Sequence, residues 1–563
     1  MERKPLPIGI EDFKRLIDDK YYFVDKTLMI KELIESQTIV GLFTRPRRFG
    51  KTLNMSMIQR FFEKTDESNA YLFDGLKISK YPECMKYQGQ YPVISISLKS
   101  MKQATFEEAF AVFKDLIRAE ILRHKSTLFN SAVIEETDLD KLTRFIELKA
   151  DKSDYNTSIG FLSTLLASAY GKKVIILIDE YDVPLENAFH QGFYNDMVNL
   201  IRSVFESALK TNPSLDRAFL TGCLRVSKES IFTGLNNFKV LSIIDTRFDE
   251  QFGFTNEEVK QLLKSYDLES HFEETKEWYD GYRFGNADIY CPWDVVNHVD
   301  MLCADPKARP QSYWINTSGN GLVKRFIDKA NKTTRDEIER LIAGEAIEKM
   351  LRLELTYDEI DNSIENLWSV LFTTGYLTQA GMTEEGAYKL VIPNREVRDV
   401  YKFQIQEWFR ETIFSNTEQL TAFWNAVEGG RIEVIEKYLN RTLSNSISVF
   451  DTKAPEKEKE NSYHTFLVGL LVGNADWLVR SNVEAGEGFA DIVVETEDPD
   501  AGIIFELKCS KDAKGLENAC QRAMEQIKDR RYTEYLKNDG RDDILIYGIA
   551  FYKKRCKVVV EKI

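Results

Sequence analysis

The chain has 563 residues, 43% apolar and 29% charged, ordinary for a globular protein but too long for a single core, so three domains are expected. With 90 acidic residues against 75 basic ones, the formal charge of −15 excludes a broad nucleic-acid-binding face and leaves room only for a local basic groove. The seven cysteines include no C-x-x-C pair, the start MERKPLPIG carries no apolar leader, and no apolar run approaches the ~20 residues of a membrane span, so a reducing, cytoplasmic setting without a zinc site is expected.

A helix is expected over residues 12–17, a strand or turn over 21–27 and a helix over 28–35. The decisive stretch follows, TIVGLFTRPRRFGKT at residues 38–52. Residues 39–43 read as a buried strand, the Pro-broken segment after them as a loop, and Leu53, Met57, Ile58, Phe61 and Phe62 as a helical face. Strand, loop, Gly-Lys-Thr and helix is the order of a phosphate-binding loop, whose N–H groups point at phosphates. Lys51 supplies a point charge and the Thr52 hydroxyl a contact to Mg²⁺. The loop residues Arg45, Pro46, Arg47, Arg48, Phe49 and Gly50 would line the nucleotide. Arg45 stands where the general motif has its first glycine, so three guanidinium groups are expected near the phosphates.

Residues 92–98 read as a strand and residues 106–170 as helices. VIILIDEYD, residues 174–182, is an apolar strand ending in acids. A run this apolar belongs at the centre of a sheet, and ligands bind at the carboxyl ends of such strands. Asp179 is placed to hold Mg²⁺ and Glu180 to polarise the attacking water. A helix over 193–209 and strands over 217–224 and 240–243 complete a mostly parallel, doubly wound α/β sheet. Thr255 and Glu258 have the spacing of a capping box. The aromatic stretch 272–300 reads as a packed corner between domains.

RPRRFGKT, LIDEYD and TGCLRVSKESIFTGLNNF together resemble the predicted AAA-ATPase-like family of P-loop proteins, over most of residues 5–300. Arg45 departs from the general motif but agrees with the family's. The resemblance implies ATP and Mg as cofactors. It makes Thr221, on the strand between the two motif strands, a sensor of the γ-phosphate. Arg225 is either a stabiliser of transition-state charge, in cis or across a homo-oligomer interface, or a surface ion pair. Residues 22–27 match a family segment that either packs beside the base or touches it.

Residues 301–452 read as a helical lid or regulatory domain with a strand-like piece at 376–379, and residues 453–460 as a charged linker. In the tail, a helix over 460–472 precedes strands over 486–494 and 502–508. Alternation puts Ile504, Glu506 and Lys508 on one face. Asp491, expected to open its strand, can meet Glu506 across the pair, and with a neighbouring carbonyl the two would hold Mg²⁺. Lys508 would orient or deprotonate a water. The order Asp491, Glu506, x, Lys508 resembles the PD-(D/E)XK nuclease superfamily, with an α/β/α restriction-endonuclease-like fold and DNA or RNA as the partner. The resemblance adds Glu460 as a metal contact and Gln526 as the polar helix residue. Lys528, Arg530 and Arg531 form a local basic cluster. The expected function is ATP binding and hydrolysis coupled to a Mg-dependent nuclease. The rival reading is a nucleotide-switched binding or scaffold protein, with both sites folded but catalytically idle and the nuclease fold inactive.

Overall fold

The computed structural model describes residues 3–210, 212–224, 231–232, 238–314, 321–360, 362–414, 417–445 and 456–563. It divides into two compact units, residues 1–319 with 348–398, and residues 320–347 with 399–563.

The first unit is built on five parallel strands: β1 (Val40–Thr44), β2 (Val93–Ser97), β3 (Val174–Asp179), β4 (Leu215–Gly222) and β5 (Phe238–Leu241), in the order β2-β3-β4-β1-β5. Every residue of β1 and β3 is buried, because helices cover both faces of the sheet. The sheet thus has the architecture expected, and β4 lies between the two motif strands. The helical region resolves into five helices, of which Phe106–Arg123 and Ser158–Tyr170 are the longest. The capping box of the helix Asn256–Ser265 forms as its spacing predicts.

Residues 21–26 form no strand. Their polar side chains tie the chain down instead. Lys26 Nζ donates to Glu258 and to the Glu250 carbonyl, both at 2.6 Å, and Asp25 accepts from Thr27 and from the Lys77 N–H. The aromatic corner lies inside the first unit. The strands β6 (Tyr282–Phe284) and β7 (Ala287–Ile289) form a hairpin there, and Tyr282 and Phe284 pack on Phe49 at 5.0 Å. Three short strands, β8 (Ile347–Lys349), β9 (Thr378–Met382) and β10 (Tyr388–Val391), make a separate small sheet.

The second unit holds a five-stranded mixed sheet in sequence order: β11 (Leu478–Ala485), β12 (Gly488–Glu495), β13 (Ala501–Cys509), β14 (Asp543–Tyr552) and β15 (Arg555–Lys562). Only β13 and β14 run parallel, connected by the helices Leu516–Asp529 and Thr533–Asn538. The sheet's other face packs on Leu420, Phe423, Val427, Ile435 and Leu439 together with Phe466 and Leu470.

Two expected boundaries therefore move. Residues 301–452 are not a domain of their own, because the helices Thr417–Glu428 and Ile432–Asn445 complete the core under the tail sheet. The expected linker at 453–460 is also displaced. Residues 456–460 already belong to the helix Glu456–Val472, while 451–455 lie outside the described residues. Local composition signalled a linker; packing of the apolar second half of that helix extends it backwards.

Candidate functional site

The loop after β1 turns through two left-handed residues, Arg48 (φ 71°) and Gly50 (φ 76°), and Gly50 caps the helix Lys51–Phe62. This geometry aims the first N–H groups of the helix into the loop, the arrangement that binds anions. Lys51 is buried and folds back into that loop. Its Nζ donates to the carbonyls of Arg45 and Pro46, each at 3.1 Å, and stands 3.8 Å from Glu180. Burial works against its charge, yet Cys223, Glu180, Asp182 and Asp179 around it hold its pKa above the usual lysine value.

The carboxyl end of β3 arrives from two strands away. Thr52 Oγ1 donates to Asp179 Oδ2 at 2.8 Å, and Thr221 Oγ1, from the intervening β4, donates to Asp179 Oδ1. Burial raises the Asp179 pKa, and the Thr221 hydroxyl opposes the shift. Glu180 follows in a left-handed conformation (φ 54°), with its N–H donating to Thr221 Oγ1 at 3.3 Å. Such a backbone is uncommon for a residue with a side chain. Here it turns the carboxylate off the strand and toward Lys51.

The three arginines do not crowd the phosphate position as expected. Arg45 is 0% exposed and reaches under the loop toward β5. Its guanidinium donates to the carbonyls of Leu241 at 2.8 Å and Phe248 at 3.2 Å and lies over the rings of Phe252 and Phe284. Burial pushes its pKa down to about 10. Arg47 pairs with Glu186 at 2.8 Å, and Arg48 stacks on Trp293 at 4.0 Å. Arg45 thus pins the loop to the sheet edge, a role that a surface-like run of basic letters hides. Arg225 lies outside the described residues.

In the tail, Asp491 sits in the middle of β12 and not at its start. The β12–β13 ladder pairs Ile492 with Phe505 and continues to Glu495 and Gly502. Next to that pair Asp491 Oδ2 takes the Leu507 N–H at 2.7 Å, so a side chain replaces the next backbone rung. Glu506 is 1% exposed, on the face of β13 that carries Ile504. Its Oε1 accepts from Lys508 at 2.8 Å, and its Oε2 is buried without a hydrogen-bond partner. Burial, then the Asp491 charge, raises its pKa to about 7. Glu460 Oε1 accepts the Cys509 N–H at 3.3 Å, and His464, one turn on, bonds the Asp491 carbonyl at 2.9 Å. Gln526 donates to the Tyr532 hydroxyl at 3.1 Å. Lys528 pairs with Glu561, Arg531 faces Glu534, and Arg530 donates to the Glu487 carbonyl, so each member of the expected basic cluster has an exposed partner within the protein.

Residues 7–232 match the family model described as Predicted AAA-ATPase, and residues 458–561 match the PD-(D/E)XK nuclease superfamily. The chain pairs an AAA-ATPase-like domain with a nuclease-superfamily domain. It is also 28% identical over 403 residues to an uncharacterized protein in the vnfD 5' region of Azotobacter chroococcum mcd 1, covering 71% of this chain and 69% of that protein. No helix among the described residues is long and apolar enough to cross a membrane.

Neither domain brings three His, Cys, Asp or Glu side chains together tightly enough to hold a metal ion unaided, among the described residues. In the AAA-ATPase-like domain Thr52 and Asp179 bring a hydroxyl and one carboxylate together, a set that would suit an ion whose remaining ligands were phosphate oxygens and water. In the nuclease-superfamily domain the unpartnered Glu506 Oε2 is the observation that fits a cation. Lys508 already meets the other oxygen of this carboxylate, so Oε2, buried with no partner of its own, is the atom left open to a cation.

Sequence reasoning gave no role to Asp182, which is buried beside Glu180 and accepts from the exit of β4. It also passed over the strands β14 and β15. The signal for Asp182 was present, a third acid in DEYD. The apolar run of β14, DILIYGIAFY, was legible too.

Proposed function

We propose that the AAA-ATPase-like domain binds and hydrolyses ATP, and that its nucleotide state governs Mg²⁺-dependent cleavage of nucleic acid by the tail domain. The observation that carries this reading is the convergence of Lys51, Thr52, Asp179 and Glu180 at the carboxyl ends of β1 and β3, which β4 separates in the sheet. Bound ATP would bring with it the phosphates and the Mg²⁺ that complete the donor set. Thr52 and Asp179 would hold the ion, and Lys51 would leave the carbonyls of Arg45 and Pro46 to neutralise phosphate charge. Glu180 would accept the proton of the attacking water, and Thr221 would orient Asp179.

In the tail, Asp491 and Glu506 would hold Mg²⁺, with Glu460 beside them. Lys508, held at Glu506, would orient a water toward a phosphodiester. The partner is DNA or RNA, and ATP-driven self-association is the simplest way to use Arg225 across an interface. The Lys508–Glu506 ion pair at 2.8 Å also supports a second reading, in which the tail fold is idle and the chain is a nucleotide-switched scaffold. One panel separates the two: single- and double-stranded DNA and RNA incubated with the full chain and Mg²⁺, with and without ATP, while phosphate release is followed. Phosphate release with ATP-dependent cutting supports the first reading. No cutting of any substrate refutes the first reading; the scaffold then stands if the chain still binds ATP in a calorimetric titration, and neither cutting nor binding refutes both.

A further inference from the structure

Asp182 reaches the nucleotide site from behind. It is 3% exposed and occupies the N-cap position of the helix Val183–Gln191, where an aspartate ordinarily accepts from the first turn of its own helix. It makes no such bond. Its Oδ2 instead accepts two consecutive N–H groups from the exit of β4, Cys223 at 2.7 Å and Leu224 at 2.9 Å. The hydroxyl of Tyr181 donates to the Leu224 carbonyl at 2.7 Å, so Leu224 is held at its N–H and its C=O by neighbouring residues of DEYD. Gly222 makes room for this grip. A Cβ there would lie 2.5 Å from the Tyr181 ring and 2.8 Å from Asp182 Oδ1.

The turn so held does two things at the site. It follows directly on Thr221, whose hydroxyl donates to Asp179. It also carries Cys223, whose sulfur lies 3.6 Å from the Lys51 ammonium. From the other side, the Arg45 N–H donates to the Gly222 carbonyl at 3.1 Å, so β4 leaves the sheet clamped between the two motif loops.

We infer that Asp182 is a positioning residue for ATP turnover, acting through the exit of β4. It sets where Thr221 meets Asp179 and where Cys223 walls the lysine, without touching the nucleotide itself. The inference rests on the ATPase reading above. What the turn requires is one acceptor oxygen at the place of Oδ2. A carboxamide supplies it, and a methyl group does not.

The test measures phosphate release and the affinity for a non-hydrolysable ATP analogue, both on the full chain. Asp182→Ala lowers kcat by about tenfold or more while the analogue Kd changes by less than about threefold, since the interaction matters to the arrangement of reacting groups and not to uniform binding. Asp182→Asn recovers kcat to within about threefold, and Tyr181→Phe lowers it in the same sense by less than Asp182→Ala. Wild-type kcat in Asp182→Ala overturns the inference, as does a rise in Kd that matches the loss in kcat, or an Asn variant as slow as the Ala variant. Should Asp182→Ala not fold, Asp182→Asn near wild type together with a slowed Tyr181→Phe sustains it, and any other pairing overturns it. A wild-type chain that releases no phosphate overturns the ATPase reading itself, a result visible before any variant is made.

Discussion

The Lys51 ammonium stands 3.8 Å from the Glu180 carboxylate while it donates to two carbonyls of its own loop. The cation is parked inside the loop, with the acid opposite it. Glu180→Gln is isosteric and keeps an oxygen there but cannot accept a water's proton. ATP should still bind, and turnover should fall by about 10²–10⁴, the range for loss of a general base. Phosphate release measured beside nucleotide titration checks this. Lys51→Ala should abolish binding and turnover together.

The Thr52–Asp179 hydrogen bond predicts a different signature. Asp179→Asn should leave metal-free ATP affinity nearly unchanged and remove most of the tightening that Mg²⁺ provides. Calorimetric titration with Mg²⁺ and with a chelator separates the two contributions.

Arg45 should matter to stability before it matters to phosphate. Arg45→Met removes hydrogen bonds from a charged donor to the Leu241 and Phe248 carbonyls and leaves those acceptors buried. Charge-assisted hydrogen bonds contribute about 1.5–3 kcal/mol each, so a loss of about 3 kcal/mol or more in denaturant unfolding is expected.

Glu396 and Asp294 are buried carboxyls: burial and then the Asp294 charge raise Glu396 to about 10, and burial raises Asp294 to about 6 against the opposing contact with Glu396. Between the ordinary carboxyl range and about pH 10 the folded state therefore binds more protons here than the unfolded one. Stability contributed by this pair is present at low pH and is lost as pH rises through that window. Glu396→Gln should flatten the decline, read as a higher melting temperature at pH 9 with little change at pH 5.

In the tail, Asp491→Ala and Lys508→Ala should each abolish Mg²⁺-dependent cutting while phosphate release continues. Asp491→Ala should also cost stability, because Leu507 loses the acceptor that replaces a ladder rung.

Much of this architecture was written locally. An apolar run ending in Gly-Lys-Thr, another ending in paired acids, and Glu-x-Lys on an alternating strand each announce an element and the end of it that carries chemistry. Their periodicities survive in β1, β3 and β13 because covered strands leave little freedom to do otherwise. The capping box at Thr255 was legible for the same reason, being complete within four residues.

Composition did not reveal which side of the loop each cation would serve. Arg45, Arg47 and Arg48 are near neighbours in sequence, yet one is buried against β5, one pairs with Glu186 and one stacks on Trp293. Those partners come from strands and helices far along the chain, and sidedness is settled only when the sheet order brings them near. The same holds for the helices of residues 417–445, whose apolar faces look like a separate bundle until the tail sheet supplies the surface that buries them. The sequence by itself determined the chemical groups and the strand ends that present them; tertiary structure alone decided their pairing, because burial forces each charge and each apolar face to find whichever partner the topology delivers.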